Sequence, residues 1–141
     1  MSIWFKPYTL DEAIPTGAAC MPDHLGIEFI EVGPDFLKGR MPVNERTRQP
    51  LGILHGGASV TLAETLGSVA ANMVVDRSKY MCVGQEINAN HIRPKPDGHV
   101  VGTARALHLG KRSHVWEIRI TDEQDRLVCI SRLTVAVVDR T

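Results

Sequence analysis

Apolar positions along the chain follow two periods, and these divide it into one long helix and a set of strands. From Gly57 to Val75, Leu62, Leu66, Val69 and Met73 recur every three or four residues, the spacing of one helix face. Ala and Val fill much of the remainder, and the polar residues Ser59, Glu64, Thr65, Ser68 and Asn72 are few. A helix this apolar is expected to be wrapped by other structure. Elsewhere the period is two. Val115 to Thr121 alternates Trp116, Ile118 and Ile120 with Glu117 and Arg119, as a half-buried strand does. Ile27–Val32, Phe36–Val43, Tyr80–Asn88, His99–Leu107 and Leu127–Val138 read as further strands. Gly33-Pro34-Asp35 signals a hairpin turn, and Lys95-Pro96-Asp97-Gly98 and Thr121 to Asp125 signal two more turns. Thr9-Leu10-Asp11-Glu12 reads as a capping box for a short helix that Pro15 and Gly17 end. Asn44 to Leu54 reads as a loop. The order β-β-α-β-β-β-β, with short links, implies an α+β fold in which one antiparallel sheet curls around a central helix.

Composition narrows the function class. The 141 residues suit one domain spanning 1–141. Sixteen basic residues balance sixteen acidic ones, so no general field favours nucleic acid or an anionic membrane. No apolar run approaches the roughly 20 residues of a membrane helix. Met1 to Lys6 lacks the features of an export signal, and a cytoplasmic enzyme is the expectation. Cys20, Cys82 and Cys129 are far apart and odd in number, which argues against a disulfide framework and a structural zinc site. Three buried or half-buried thiols are expected.

Candidate chemistry gathers around the start of the long helix. His55-Gly56-Gly57 lies where the first backbone N–H groups have no internal partner and the helix dipole is positive. Such a start suits an oxygen that gains negative charge, as a thioester carbonyl does under attack. Taken alone, the tripeptide is an ordinary helix start. Glu64 sits within an apolar helix, where a carboxylate is costly unless something pairs with it or uses it. Ser68 follows one turn later on the same face and could hold a water beside it. Gln49 precedes a proline, and its amide could bond a substrate carbonyl. Gly56 and Glu64 are eight residues apart, about 12 Å along one helix, whereas a base must act within about 3 Å of its target. If both groups are catalytic, two antiparallel helices from two chains must share each site. A second, basic group comprises His91, Arg93 and Lys95, then His108, Lys111, Arg112 and His114. The segment from His108 to Ser113, with Gly110 within it, could cradle a phosphate.

Together, Met41-Pro42-Val43, Arg46-Thr47-x-Gln49-Pro50, Leu54 to Ser59, Leu62 to Ser68, Glu86 to His91 and Leu107 to Gly110 resemble the hotdog thioesterases. The resemblance runs from Trp4 to about Val138 and is strongest to the phenylacetate-thioesterase-like branch, which holds the dihydroxynaphthoyl-CoA hydrolases and the enterobactin proofreading thioesterases. It implies a five- or six-stranded antiparallel sheet around one helix, with dimers that pair into a dimer of dimers. It further implies Glu64 as base or nucleophile, Gln49 orienting the thioester, His55 contacting the substrate near its carbonyl, the Gly56 N–H polarising that carbonyl, and Ser68 placing water. Gly84, His91, Arg93, His108, Gly110, Lys111, Arg112 and Ser113 would line the path of the CoA nucleotide. CoA enters as part of the substrate, and no metal or redox cofactor is expected. The reaction expected is hydrolysis of an acyl-CoA, aromatic by preference. Aryl groups on a carrier protein, or medium-chain acyl-CoA, are the alternatives. A hotdog dehydratase or hydratase is expected to carry a different, His-led motif, and a non-catalytic acyl-CoA-binding module would not require Glu64 together with Ser68 and Gln49.

Overall fold

The computed structural model describes residues 1–14 and 19–141. Two short helices come first, α1 (Leu10–Ala13) and α2 (Met21–His24). Thr9 caps α1 through the capping box anticipated for it, with the Glu12 carboxylate accepting from the Thr9 N–H at 2.8 Å. The ending assigned to Pro15 and Gly17 lies outside the described residues. The turn of α2 was not anticipated; four residues are too few to show a helical period.

Strands β1 (Glu28–Val32) and β2 (Phe36–Pro42) form the expected hairpin, followed by the long helix α3 (Gly56–Val74). Four more strands complete the chain: β3 (Tyr80–His91), β4 (His99–Leu109), β5 (Ser113–Thr121) and β6 (Leu127–Asp139). All six form one antiparallel sheet in the order β1-β2-β4-β5-β6-β3. The sheet packs around α3, which touches β2 through β6. This is the hotdog arrangement.

Leu62, Leu66 and Met73 are fully buried and Val69 nearly so, as the helical period predicts. Trp116, Ile118 and Ile120 are likewise buried on β5. The helix lies close against the middle of the sheet because Gly39 and Gly102 face each other across β2 and β4. A Cβ on either would come within 2.8 Å of the Leu66 side chain. At the N-terminus Trp4 stacks on Trp116 with ring centroids 6.4 Å apart, and its indole N–H donates to the Gly33 carbonyl.

Strand neighbours differ from the simple reading in one place. Tyr80 to His91 and His99 to Leu109 are consecutive, but β3 pairs with β6 and lies at the sheet edge, while β4 pairs with β2 and β5. The link from Ile92 to Gly98 therefore crosses between separated strands. Alternation identifies a strand and its buried face but carries no information about which strand it pairs with. No helix of the described residues is long and apolar enough to cross a membrane.

Candidate active site

The approach to α3 is built, not slack. Thr47 is buried; its hydroxyl donates to the Pro42 carbonyl at 2.8 Å, and its own carbonyl accepts from the His55 N–H at 2.8 Å. Leu54 N–H donates to the Lys95 carbonyl at 2.7 Å, and the Arg48 guanidinium donates to the Pro96 carbonyl. Between these anchors a tight turn from Gln49 to Ile53 uses Gly52 at φ +82°. The Gln49 side-chain oxygen accepts from the Leu51 N–H, which leaves the amide NH2 as the donor end.

His55 is the N-cap of α3, and its Nδ1 accepts from the Gly57 N–H at 2.8 Å. An imidazole nitrogen that accepts a hydrogen bond carries no proton, so the ring proton sits on Nε2, available as a donor. Because His55 occupies the Gly57 N–H, the Gly56 N–H is left without a partner among the described residues, at the positive end of the helix. The His91 ring lies over Gly56, where a Cβ would come 2.6 Å from Nε2. Gln49, Gly56, Ser59, His91 and Arg93 together line a cavity of about 350 Å³. The amide end of Gln49, the free Gly56 N–H and the cationic Arg93 give this cavity the character of a site for an electron-rich oxygen.

Glu64 lies elsewhere. It is half-buried on α3 with its carboxylate beneath Gly84 of β3, so close that any Cβ there would collide with Oε2. Among the described residues no ion pair reaches it. Ser68, one turn on, lines a different cavity of about 250 Å³ with Ala13, Val69, Asn72, Arg77 and Arg140. One chain thus separates the amide-lined helix start from Glu64, as the helix arithmetic requires.

The basic residues do not form one cluster. His91 and Arg93 are at the helix start. His108, Lys111 and Arg112 are exposed at the β4–β5 hairpin, where the Gly110 N–H donates to the Ser113 carbonyl at 2.9 Å. Across the sheet, Ser113 aligns with Ala136 and Val83, whereas Ile120 aligns with Cys129 and His91. The seven residue steps from Ser113 to Ile120 span about 23 Å, so the two basic groups of one chain sit at opposite ends of the sheet. Gly84 belongs with Glu64 in this geometry. Lys95 is buried in an ion pair with Glu123 at 2.6 Å, not free for an anion. His114 is 2 % exposed; burial, and secondarily the nearby His108, lowers its pKa, so it favours the neutral ring.

Cys82 and Cys129 are buried, and burial pushes both thiols up to about 11. Cys20 is exposed, contrary to the expectation for it. The sequence singles out neither Arg77 nor Arg140, places Lys95 among the anion-facing basic residues rather than in its ion pair, and gives Thr47 no anchoring role. Their roles depend on neighbours distant in sequence, and no spacing announces them.

The model of the thioesterase superfamily matches residues 51–129. The 1,4-dihydroxy-2-naphthoyl-CoA hydrolase of Escherichia coli is 48% identical over 135 residues, covering 96% of this chain and 98% of that one. The proofreading thioesterase EntH of Cronobacter turicensis matches to the same extent, 48% over 135 residues, with 96% and 98% covered. Among solved structures, a mutant thioesterase from Pseudomonas aeruginosa superposes with a TM-score of 0.95 at 46% identity, covering 99% of this chain and all of that one. A Haemophilus influenzae thioesterase gives 0.92 at 42% identity, with 97% and 95% covered. With its long helix inside a six-stranded antiparallel sheet and these matches over nearly its whole length, the chain belongs to the thioesterase superfamily and is a thioester hydrolase.

Proposed function

We propose that the protein hydrolyses acyl-CoA, aromatic acyl-CoA by preference, in a site shared by two copies of the chain. Glu64 of one copy acts at a thioester carbonyl held by Gly56, His55 and Gln49 of the other. The observation that carries this reading is the position of Glu64: a carboxylate without an ion-pair partner among the described residues, directly beneath Gly84 of the exposed edge strand. Tyr80, Met81 and Val83 of that strand are exposed apolar residues, and an unpaired strand edge is a template for another strand.

Register supports the pairing. An antiparallel β3–β3 ladder centred between Ile87 and Asn88 would set Gly84 of one copy opposite His91 of the other, about 4.8 Å away. Glu64 lies under Gly84, and His91 lies over Gly56. Each carboxylate would then approach the free amide of its neighbour. The β4–β5 hairpin of one copy would come level with Arg93 of the other, so that His108, Lys111 and Arg112 and the backbone of Gly110 and Ser113 could receive the CoA phosphates beyond Arg93. Pairing of two such dimers into a tetramer follows the same resemblance.

In the chemical step the thioester C–S bond breaks and a C–O bond forms. The Gly56 N–H and the Gln49 NH2 stabilise the carbonyl oxygen as it gains charge. Glu64, ionised, either takes a proton from a water placed with help from Ser68 or attacks the carbon itself, giving an anhydride that water then opens. CoA leaves as the thiolate and is protonated. The name of the Escherichia coli relative, a 1,4-dihydroxy-2-naphthoyl-CoA hydrolase, supports an aryl-CoA substrate. The test is thiol release from benzoyl-CoA by the wild type and by Glu64→Gln. The variant is expected to fold normally and to lose about 10²–10⁴-fold in turnover; near-normal turnover would remove Glu64 from this role.

A further inference from the structure

The cavity beside Ser68 carries two cations that the proposed reaction does not use. It lies on the C-terminal side of Glu64 along α3: Ser68 is about 6 Å on and Asn72 about 12 Å on. About 250 Å³ corresponds to roughly eight water volumes, room for one ring and its substituents. The Asn72 amide is already committed. Its NH2 donates to the Ser68 and Cys82 carbonyls at 2.8 and 3.1 Å, and its oxygen accepts from the Cys82 N–H at 2.9 Å. Polar recognition in the part of this cavity beyond Ser68 therefore falls to Arg77 and Arg140.

Arg77 is held in place. Its Nε donates to the Asn72 carbonyl at 3.0 Å, and its guanidinium lies 5.2 Å from the centre of the Tyr8 ring. The two terminal NH2 groups, without a hydrogen-bond partner among the described residues, form a fork suited to a carboxylate. Glu12 and Asp76 border Arg77 on its other side. Both carboxylates are occupied, Glu12 by the Thr9 backbone and hydroxyl and Asp76 by Ser78. Neither Arg77 nor Arg140 forms an ion pair among the described residues.

We infer that this cavity selects an acyl group bearing a second acidic substituent, on the side of the acyl group remote from the thioester, which Arg77 and Arg140 receive. The inference rests on the acyl-CoA reading and names its substrate class. A thioester at Glu64 would send its acyl group past Ser68 toward the two guanidinium groups. The two guanidinium groups, Arg77 fixed and Arg140 beside it, would favour the acidic acyl group over a neutral one of equal size, because the neutral group leaves both cations without a partner.

The test compares para-carboxybenzoyl-CoA with para-methylbenzoyl-CoA by thiol release, scored as the ratio of their kcat/KM values. In the wild type the acidic substrate is expected to lead by about tenfold or more, the scale of charge-assisted hydrogen bonds. Arg140→Met should collapse that ratio toward one, and Arg140→Glu should invert it. Arg77→Met should also collapse it, with folding checked by circular dichroism because Arg77 braces Asn72. Equal or better turnover of the neutral substrate by the wild type overturns the inference while leaving the thioesterase reading intact. So does a ratio that Arg140→Met and Arg140→Glu leave unchanged. No thiol release from either substrate overturns both.

Discussion

Gly84 shows how a single absent side chain can govern a reactive group. The Glu64 carboxylate occupies the space that a Cβ at Gly84 would fill. Such a clash is relieved most cheaply by swinging the flexible Glu64 side chain, since the strand backbone is held by β6. Gly84→Ala is therefore expected to leave the fold intact and to displace the carboxylate. A displacement near 1 Å can cost about 10²-fold in rate. Thiol release measured beside a thermal melt checks this; an active Gly84→Ala enzyme would mean that the observed carboxylate position is not the working one. His55 illustrates the complementary case, a side chain that selects which amide is free. By capping Gly57 through Nδ1 it leaves the Gly56 N–H and its own Nε2–H as donors at the mouth of the cavity.

At the scale of elements, the helix start depends on a crossing link. Lys95 holds that link from two sides, its carbonyl accepting from Leu54 N–H and its ammonium pairing with Glu123. Glu123 also accepts from the His99 N–H at 2.9 Å. The Lys95 hydrogen bond foremost, then that of His99, lowers the Glu123 pKa from 4.5 to about 2. A depressed carboxylate pKa contributes stability that is present above the unfolded value and lost as pH falls through the folded one. This share of stability should thus be complete above about pH 4.5 and gone below about pH 2. Glu123→Gln is expected to melt a few degrees lower at neutral pH and to show a shallower fall in melting temperature between pH 5 and pH 3. Parallel melting curves for the two proteins across that range would dismiss the clip.

For the whole molecule, the central expectation is that neither chain of a pair completes a site alone. Glu64→Ala and Gln49→Ala should each be nearly inactive. Subunits exchanged between the two variants would form mixed pairs in which one site carries both defects and the other carries neither. Mixing should therefore restore activity, up to about half the wild-type value per mixed pair if the sites act independently. No recovery, with exchange verified by mass, would place Glu64 and Gln49 in the same site and dismiss the shared arrangement. Sedimentation of the wild type as a monomer would dismiss it as well.

Much of this was already legible along the chain. The helical recurrence of Leu62, Leu66, Val69 and Met73, and the alternation through Trp116, Ile118 and Ile120, specified the buried faces because burial of apolar area acts on local periodicity. The eight-residue interval from Gly56 to Glu64 already forced their separation, since helix rise is constant. Strand neighbours were beyond reach of such patterns: β3 takes the sheet edge beside β6, and alternation is blind to which edge a strand joins. The same holds for the buried Lys95, the neutral-favouring His114, the contact of Gly84 with Glu64 and the meeting of Arg77 and Arg140 beside Ser68. Each is decided by residues far apart in sequence, which only the closed sheet around its helix brings together.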